Sequence, residues 1–176
     1  MIPLETLGKR ICIIGNSGAG KSTLAQHLAQ QLDLAICHLD QIAHIPNTAW
    51  QMKDRELIRL DHQAFLTQQK QWVIEGNYSF LMPERFAQAT AIIWLDFSRW
   101  NSAYRYTKRA LQNNPNRAGN LEGATQQFSW KMIRHILFNF PKSKEKYQKL
   151  VETSGLPYIR ITSFHQLKKM YKEWNL

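Results

Sequence analysis

Residues Gly15 to Thr23 read GNSGAGKST, which fits the pattern GxxxxGK[ST] at every fixed position. Directly ahead of them, Arg10 to Ile14 (RICII) is a short continuous apolar run that ends at Gly15, as expected of a strand buried on both faces of a parallel sheet. Directly behind them, Leu24, Leu28 and Leu32 recur every four residues and predict a helix with one apolar stripe. Strand, Gly-rich loop and helix in that order make a phosphate-binding loop. Its glycines let the backbone curl so that successive N–H groups of Gly15, Asn16, Ser17, Gly18, Ala19, Gly20, Lys21, Ser22 and Thr23 form a nest for phosphate oxygens, backed by the positive end of the helix. Lys21 is placed to reach the β and γ phosphates of ATP, and the Ser22 hydroxyl to hold Mg²⁺.

Working outward, Ala35 to Leu39 (AICHL) before Asp40, Trp72 to Ile74 before Glu75-Gly76, Ala91 to Leu95 before Asp96 and Tyr158 to Ile161 before Thr162-Ser163 give four more strand candidates. Helices are predicted between them. Asp54 to Gln69 holds Leu57, Leu60, Ala64 and Phe65 at helical spacing. Ser98 to Asn113 holds Trp100, Tyr104, Thr107 and Leu111 on one face, with Arg105 and Arg109 on another. The last helix, N-capped by Ser163, carries Leu167, Met170, Tyr171 and Trp174 as a core stripe. The expected fold is α/β: a three-layer, five-stranded parallel sheet with helices on both faces, of P-loop nucleoside triphosphate hydrolase type. It forms one domain over residues 1–176, with a lid region around 99–145. Asn113 to Gly123 (NNPNRAGNLEG) is the one segment read as flexible.

The chain has 176 residues, 44% hydrophobic and 20% charged, the composition of a globular protein. No run approaches the length of a membrane span, and MIPLETLGKR lacks the apolar core of a signal peptide, so a soluble cytoplasmic protein is expected. Cys12 and Cys37 each lie in an apolar run and read as reduced core thiols. The six histidines show no metal-ligand spacing. Net charge is +10 and lopsided: residues 1–98 carry 8 Lys and Arg against 9 Asp and Glu, residues 99–176 carry 15 against 4. The basic half suits phosphate-rich partners, nucleic acid among them, or plain solubility. GTPase elements NKxD and DxxG are absent, as is an LSGGQ-like segment, and the length excludes a whole transporter ATPase.

Beyond the loop, HLDQIAHIPNTAW (His38 to Trp50), WVIEGNYS (Trp72 to Ser79), IIWLDFSRW (Ile92 to Trp100) and FSWKMIRHILFNFPK (Phe128 to Lys142) carry a resemblance. With them the chain resembles adenylate-kinase-related small P-loop kinases, and more closely the DNA topology modulation (FlaR-type) proteins. That resemblance implies strand order 2-3-1-4-5, an acceptor site near strands 2 and 3, and an Arg-bearing lid after strand 4. The RxxxR spacing of Arg105 and Arg109 resembles that of nucleotide-kinase lids. Glu75 stands where related kinases have an Asp that holds a water of the Mg²⁺ shell, which implies a metal role through water.

The remaining polar residues are open to more than one role. Asp40 either orients an acceptor hydroxyl and takes its proton or caps the next segment. Arg105 and Arg109 either clamp ATP phosphates or form a solvated basic face. Asp96 competes with Glu75 as the metal acid, and Glu75 is favoured because Gly76 would let a ligand approach the backbone. Arg85 either contacts acceptor or pairs with an acid. Lys131, Arg134, Lys142, Lys144, Lys146 and Lys149 surround an apolar helix bearing Trp130, Ile133, Leu137 and Phe140, as a wet rim or a docking surface. The expected function is transfer of a phosphoryl group from ATP, with Mg²⁺, to a small acceptor such as a nucleoside, nucleotide or similar alcohol. The alternatives are an ATP-switched regulator that binds nucleic acid through its basic half, and an ATPase without acceptor.

Overall fold

The computed structural model describes residues 2–112, 118–121 and 128–176. Of the segment read as flexible, only 118–121 fall among them. Five strands, β1 (Arg10–Gly15), β2 (Ala35–His38), β3 (Trp72–Glu75), β4 (Ala91–Leu95) and β5 (Tyr158–Ile161), pair in parallel in the order β2-β3-β1-β4-β5. The P-loop strand therefore lies at the centre. Successive residues of β1 face opposite ways, so Ile11 and Ile13 enter one core and Cys12 and Ile14 the other, and all four are fully buried.

On the first face pack α1 (Lys21–Leu32), through Leu24, Ala25 and Leu28, and α8 (Phe164–Trp174), through Leu167, Met170 and Trp174. Ser163 caps α8 as expected, its side chain accepting from the Gln166 N–H. The second face is covered by α2 (Leu39–Ala43), α3 (Arg55–Gln68), α4 (Met82–Gln88) and α7 (Phe140–Thr153), with Trp72, Trp94, Phe86 and Val151 between them. α5 (Arg99–Gln112) and α6 (Trp130–Arg134) follow β4, and a π-helical turn over His135–Asn139 joins α6 to α7. No helix among the described residues is long and apolar enough to cross a membrane.

Three helix faces differ from the expectation. In α3 the buried line is Ile58, His62 and Leu66, while Leu57 and Leu60 are exposed. The reason is His62, which occupies the middle of that line to meet Glu84 of α4, its Nδ1 3.5 Å from Oε2. In α5, Trp100, Tyr104 and Leu111 point outward, and the buried residues are Ser102 and Tyr106. Beyond α6, the π turn adds a residue to the helical register and turns Ile136 inward, leaving Trp130 76% exposed and Ile133 and Leu137 half-buried.

His62 is fully buried, and burial together with the Arg85 charge pushes its pKa down to about 4, against an opposing pull from Glu84. The unfolded chain takes up this proton below about 6.5, whereas the fold resists it until about 4. Stability from this group is therefore complete at neutral pH and declines as pH falls through that window, by at most about 3 kcal/mol. Urea unfolding from pH 7 to pH 4.5 checks it: the midpoint of His62→Gln should fall less steeply with acidity than that of the parent protein.

Candidate functional site

The P-loop is held from below and from above. Gly15 has φ 146°, and a Cβ there would lie 2.4 Å from the Leu95 carbonyl oxygen, so no other residue lets the loop leave β1 beside β4. Its N–H donates to Asn77 Oδ1 at 3.0 Å, tying the loop's start to the turn after β3. Asn16 is buried, its Oδ1 accepting from the Ser17 N–H at 2.9 Å and its carbonyl from Ala19 N–H at 3.1 Å and Lys21 Nζ at 3.2 Å. Above, Gly18 at φ 77° brings the loop against α5: a Cβ would stand 3.1 Å from Ser102 O and 3.2 Å from Tyr106 N. This contact explains the orientation of α5. The backbone at Ser102 and Tyr106 meets the loop, and Trp100 and Leu111 lie exposed.

Between loop and helix lies a cavity of about 680 Å³. The floor is Gly18, Gly20, Lys21, Ser22 and Thr23, and the opposite wall is Asn101, Tyr104, Arg105, Lys108 and Arg109. Arg105 and Arg109 both line the cavity, and Arg105 Nη2 would be 3.6 Å from a Cβ on Gly20. Arg105 is half-buried, and burial lowers its pKa. Its guanidinium lies 4.0 Å from the centre of the Phe164 ring, which closes one end of the cavity. Sequence reasoning missed Phe164 because it opens a helix whose stripe reads as core, and Asn101, Tyr104 and Lys108 because nothing in their spacing set them apart as it did Arg105 and Arg109.

The strand-end acids separate clearly. Glu75 is buried, and one oxygen, Oε1, accepts from Ser22 Oγ at 2.9 Å and lies 3.0 Å from His38 Nδ1. Burial alone would raise its pKa, but the hydrogen bond to His38, the Lys21 charge and the Ser22 hydroxyl together hold it below the usual carboxylate value. An ionised carboxylate against the loop hydroxyl is a hard-oxygen pair of the kind Mg²⁺ prefers, so the residues fit that ion. Asp96 is committed elsewhere: Arg160 grips Oδ2 from Nη2 at 2.6 Å and Nε at 2.9 Å, and Lys144 lies 2.9 Å away. Gly76 does not open a path for ligand. The Leu39 side chain fills the space, 2.8 Å from where a Cβ would be.

Asp40 opens α2 rather than ending β2, is exposed, and accepts the Tyr78 hydroxyl at 2.8 Å. Arg85 is fully buried, with Nη2 donating to the carbonyls of Gly76 at 2.7 Å and Asn77 at 3.2 Å. It therefore braces the turn that positions Glu75 and Asn77. The short segment 118–121 lies across the Ser22 end: Gly119 packs on Ser22 Oγ and His38 Nδ1, and Gln41 Nε2 donates to the Asn120 carbonyl at 2.9 Å.

The family model described as ABC transporter matches residues 6–169, from before β1 into α8. The chain belongs to that family. What the match and the fold share is the P-loop nucleotide-binding unit, five parallel strands with helices around them. No curated protein matches the chain. Among solved structures, shikimate kinase from Acinetobacter baumannii in complex with shikimate is 17% identical, at TM-score 0.57 over 93% of this chain and 91% of that one. Deoxyadenosine kinase from M. mycoides with bound dATP is 15% identical, at TM-score 0.55 over 94% and 99%. At these identities the likeness is one of fold, the fold of small P-loop kinases.

The Asp96 cluster ties β4 to β5 and α7, so Asp96→Asn should lower stability by about 1–3 kcal/mol. Urea unfolding measures the loss, and calorimetry should show ATP association in the variant within twofold of the parent.

Proposed function

We propose that this chain is a cytoplasmic, ATP-dependent phosphotransferase whose acceptor is a small hydroxyl compound, a nucleoside, nucleotide or a compound of similar size. The observation that carries the reading is the cavity with the P-loop on one side and Arg105 and Arg109 on the other. A nest of amides with one lysine binds phosphates. Two forked guanidiniums facing it add what transfer needs, charge compensation over the oxygens of the migrating group. The spacing of Arg105 and Arg109 and the motifs around Asp40, Glu75 and Asp96 support reading the chain as similar to the adenylate-kinase-related group and the DNA topology modulation proteins.

In this reading Lys21 and the amides of Gly15 to Thr23 hold the β and γ phosphates of ATP. The ring of Phe164, already stacked on Arg105, offers a flat wall to the nucleobase. Ser22 directly and Glu75 through water would hold Mg²⁺, which when bound supplies positive charge at the phosphoryl oxygens. Asp40, oriented by the Tyr78 phenol, accepts the proton of the acceptor hydroxyl. Arg105 and Arg109 shield the site from water that would otherwise take the phosphoryl group.

A second reading, an ATP-switched regulator that binds DNA, draws on exposed aromatics beside basic residues: Trp100 is 65% exposed under Arg99, and Trp130 adjoins Lys131. It requires duplex binding that weakens steeply with salt.

An ATP-consumption screen over nucleosides, nucleotides and small alcohols, with products identified by mass, tests the proposal. At least one acceptor should raise ADP release well above the rate with water alone. Asp40→Asn should then abolish turnover with ATP affinity nearly intact, and Arg105→Ala and Arg109→Ala should each lower kcat/KM more than about tenfold, or ~1.4 kcal/mol. Glu75→Gln should weaken the Mg²⁺ dependence of ATP association in calorimetry. ADP release indifferent to every acceptor sinks the kinase reading.

A further inference from the structure

Three consecutive residues beyond the Glu75 turn, Tyr78, Ser79 and Phe80, are each gripped by a different helix. Asp40 of α2 accepts the Tyr78 hydroxyl, Lys146 of α7 donates to Ser79 Oγ at 3.0 Å, and Arg55 of α3 lies over the Phe80 ring, 4.4 Å from its centre. The Tyr78 and Phe80 rings meet edge to face at 6.3 Å. A carboxylate, two aromatic rings and two cations thus converge on one short loop at the acceptor side of the sheet.

Those two cations differ from their neighbours. Lys53 is paired with Asp61 at 2.8 Å, Arg59 with Glu84 at 3.0 Å, and Lys144 and Arg160 share Asp96. Among the described residues, no carboxylate lies within 4.0 Å of Arg55 or Lys146. Helix stability does not explain Arg55 either, because it is the first residue of α3, where the positive end of the helix disfavours a cation. A stack on Phe80 occupies the face of the guanidinium and fixes its plane. The fork edge remains suited to two parallel hydrogen bonds with a carboxylate or phosphate.

We propose that the Tyr78, Ser79 and Phe80 loop with Arg55 and Lys146 recognises the acceptor, and that the acceptor carries an anionic group, carboxylate or phosphate monoester, apart from the hydroxyl that is phosphorylated. This rests on the kinase reading and narrows its acceptor to hydroxyl compounds bearing a negative charge. In the reaction the acceptor oxygen bonds to the γ phosphorus of ATP, the bond from that phosphorus to the bridging oxygen breaks, and ADP departs with the electron pair. The hydroxyl proton passes to Asp40. Burial first, then the Asp40 charge, raise the Tyr78 pKa, so the phenol keeps its proton and stays a donor to that carboxylate.

Matched acceptor pairs test it: nucleoside 5′-monophosphates against the nucleosides, and cyclic polyhydroxy acids against their methyl esters, with ADP release and product mass as readouts. At least one anionic member should show kcat/KM more than tenfold above its neutral partner, and the arm that responds tells phosphate from carboxylate. Arg55→Ala and Lys146→Ala should raise KM for that acceptor at least tenfold and erase the preference, with KM for ATP unchanged as the check on folding. Equal use of charged and neutral partners, or a preference that survives both substitutions, overturns the inference and leaves the kinase reading standing. ATP hydrolysis at one rate with and without every acceptor overturns both.

Discussion

Glu75 is buried with a single oxygen shared by the Ser22 hydroxyl and the His38 imidazole, and three elements of the site are fixed through it. Ser22 belongs to the first turn of α1, His38 ends β2 and Glu75 ends β3. An ionised carboxylate out of water costs several kcal/mol unless hydrogen bonds and opposite charge offset it, and here they come from Ser22, His38 and Lys21. The turn that follows extends the same dependence. Asn77 holds the Gly15 N–H, Arg85 holds the carbonyls of Gly76 and Asn77, and Tyr78 holds Asp40. The P-loop and the Asp40 carboxylate are therefore positioned from one strand end, β3, which sits between β1 and β2.

A second constraint is the backbone contact between Gly18 and α5. Because the loop meets Ser102 and Tyr106, the helix presents Arg105, Lys108 and Arg109 to the cavity and leaves Trp100 and Leu111 in solvent. Burying a side chain of that size is worth about 1.5–3 kcal/mol, which this orientation of α5 does not gain from Trp100 or Leu111.

What was legible in the sequence follows from this. All five strands were: β1, β3 and β4 are buried on both faces and form apolar runs that need no partner to recognise, and the edge strands β2 and β5 keep enough apolar residues to follow them. GNSGAGKST was legible because backbone curvature demands glycine at fixed places. Helix faces were harder: the lines Ile58-His62-Leu66 and Ser102-Tyr106 contain polar residues whose burial depends on Glu84 and on the P-loop, both remote in sequence. Glu75 and Asp96 looked alike, each an acid closing an apolar strand. Only the fold reveals that Arg160, 64 residues on, reaches Asp96 while the loop serine reaches Glu75.

The three acids that follow β2, β3 and β4 in sequence or close them show how carboxylates acquire three electrostatic settings. Asp96 is paired with an arginine and a lysine, so it serves as an anchor. Glu75 is enclosed by a hydroxyl, an imidazole and the nearby Lys21 charge, which keeps it ionised and facing the loop. Asp40 is exposed, and its one hydrogen bond in this cluster comes from a neutral phenol that orients the carboxylate without cancelling its charge. A carboxylate that must accept a proton in the proposed transfer has to stay ionised yet unpaired with any fixed cation, since an ion pair would depress its affinity for that proton. Of the three, the surroundings of Asp40 meet that requirement, and the cations nearest its loop, Arg55 and Lys146, are held on Phe80 and Ser79 instead.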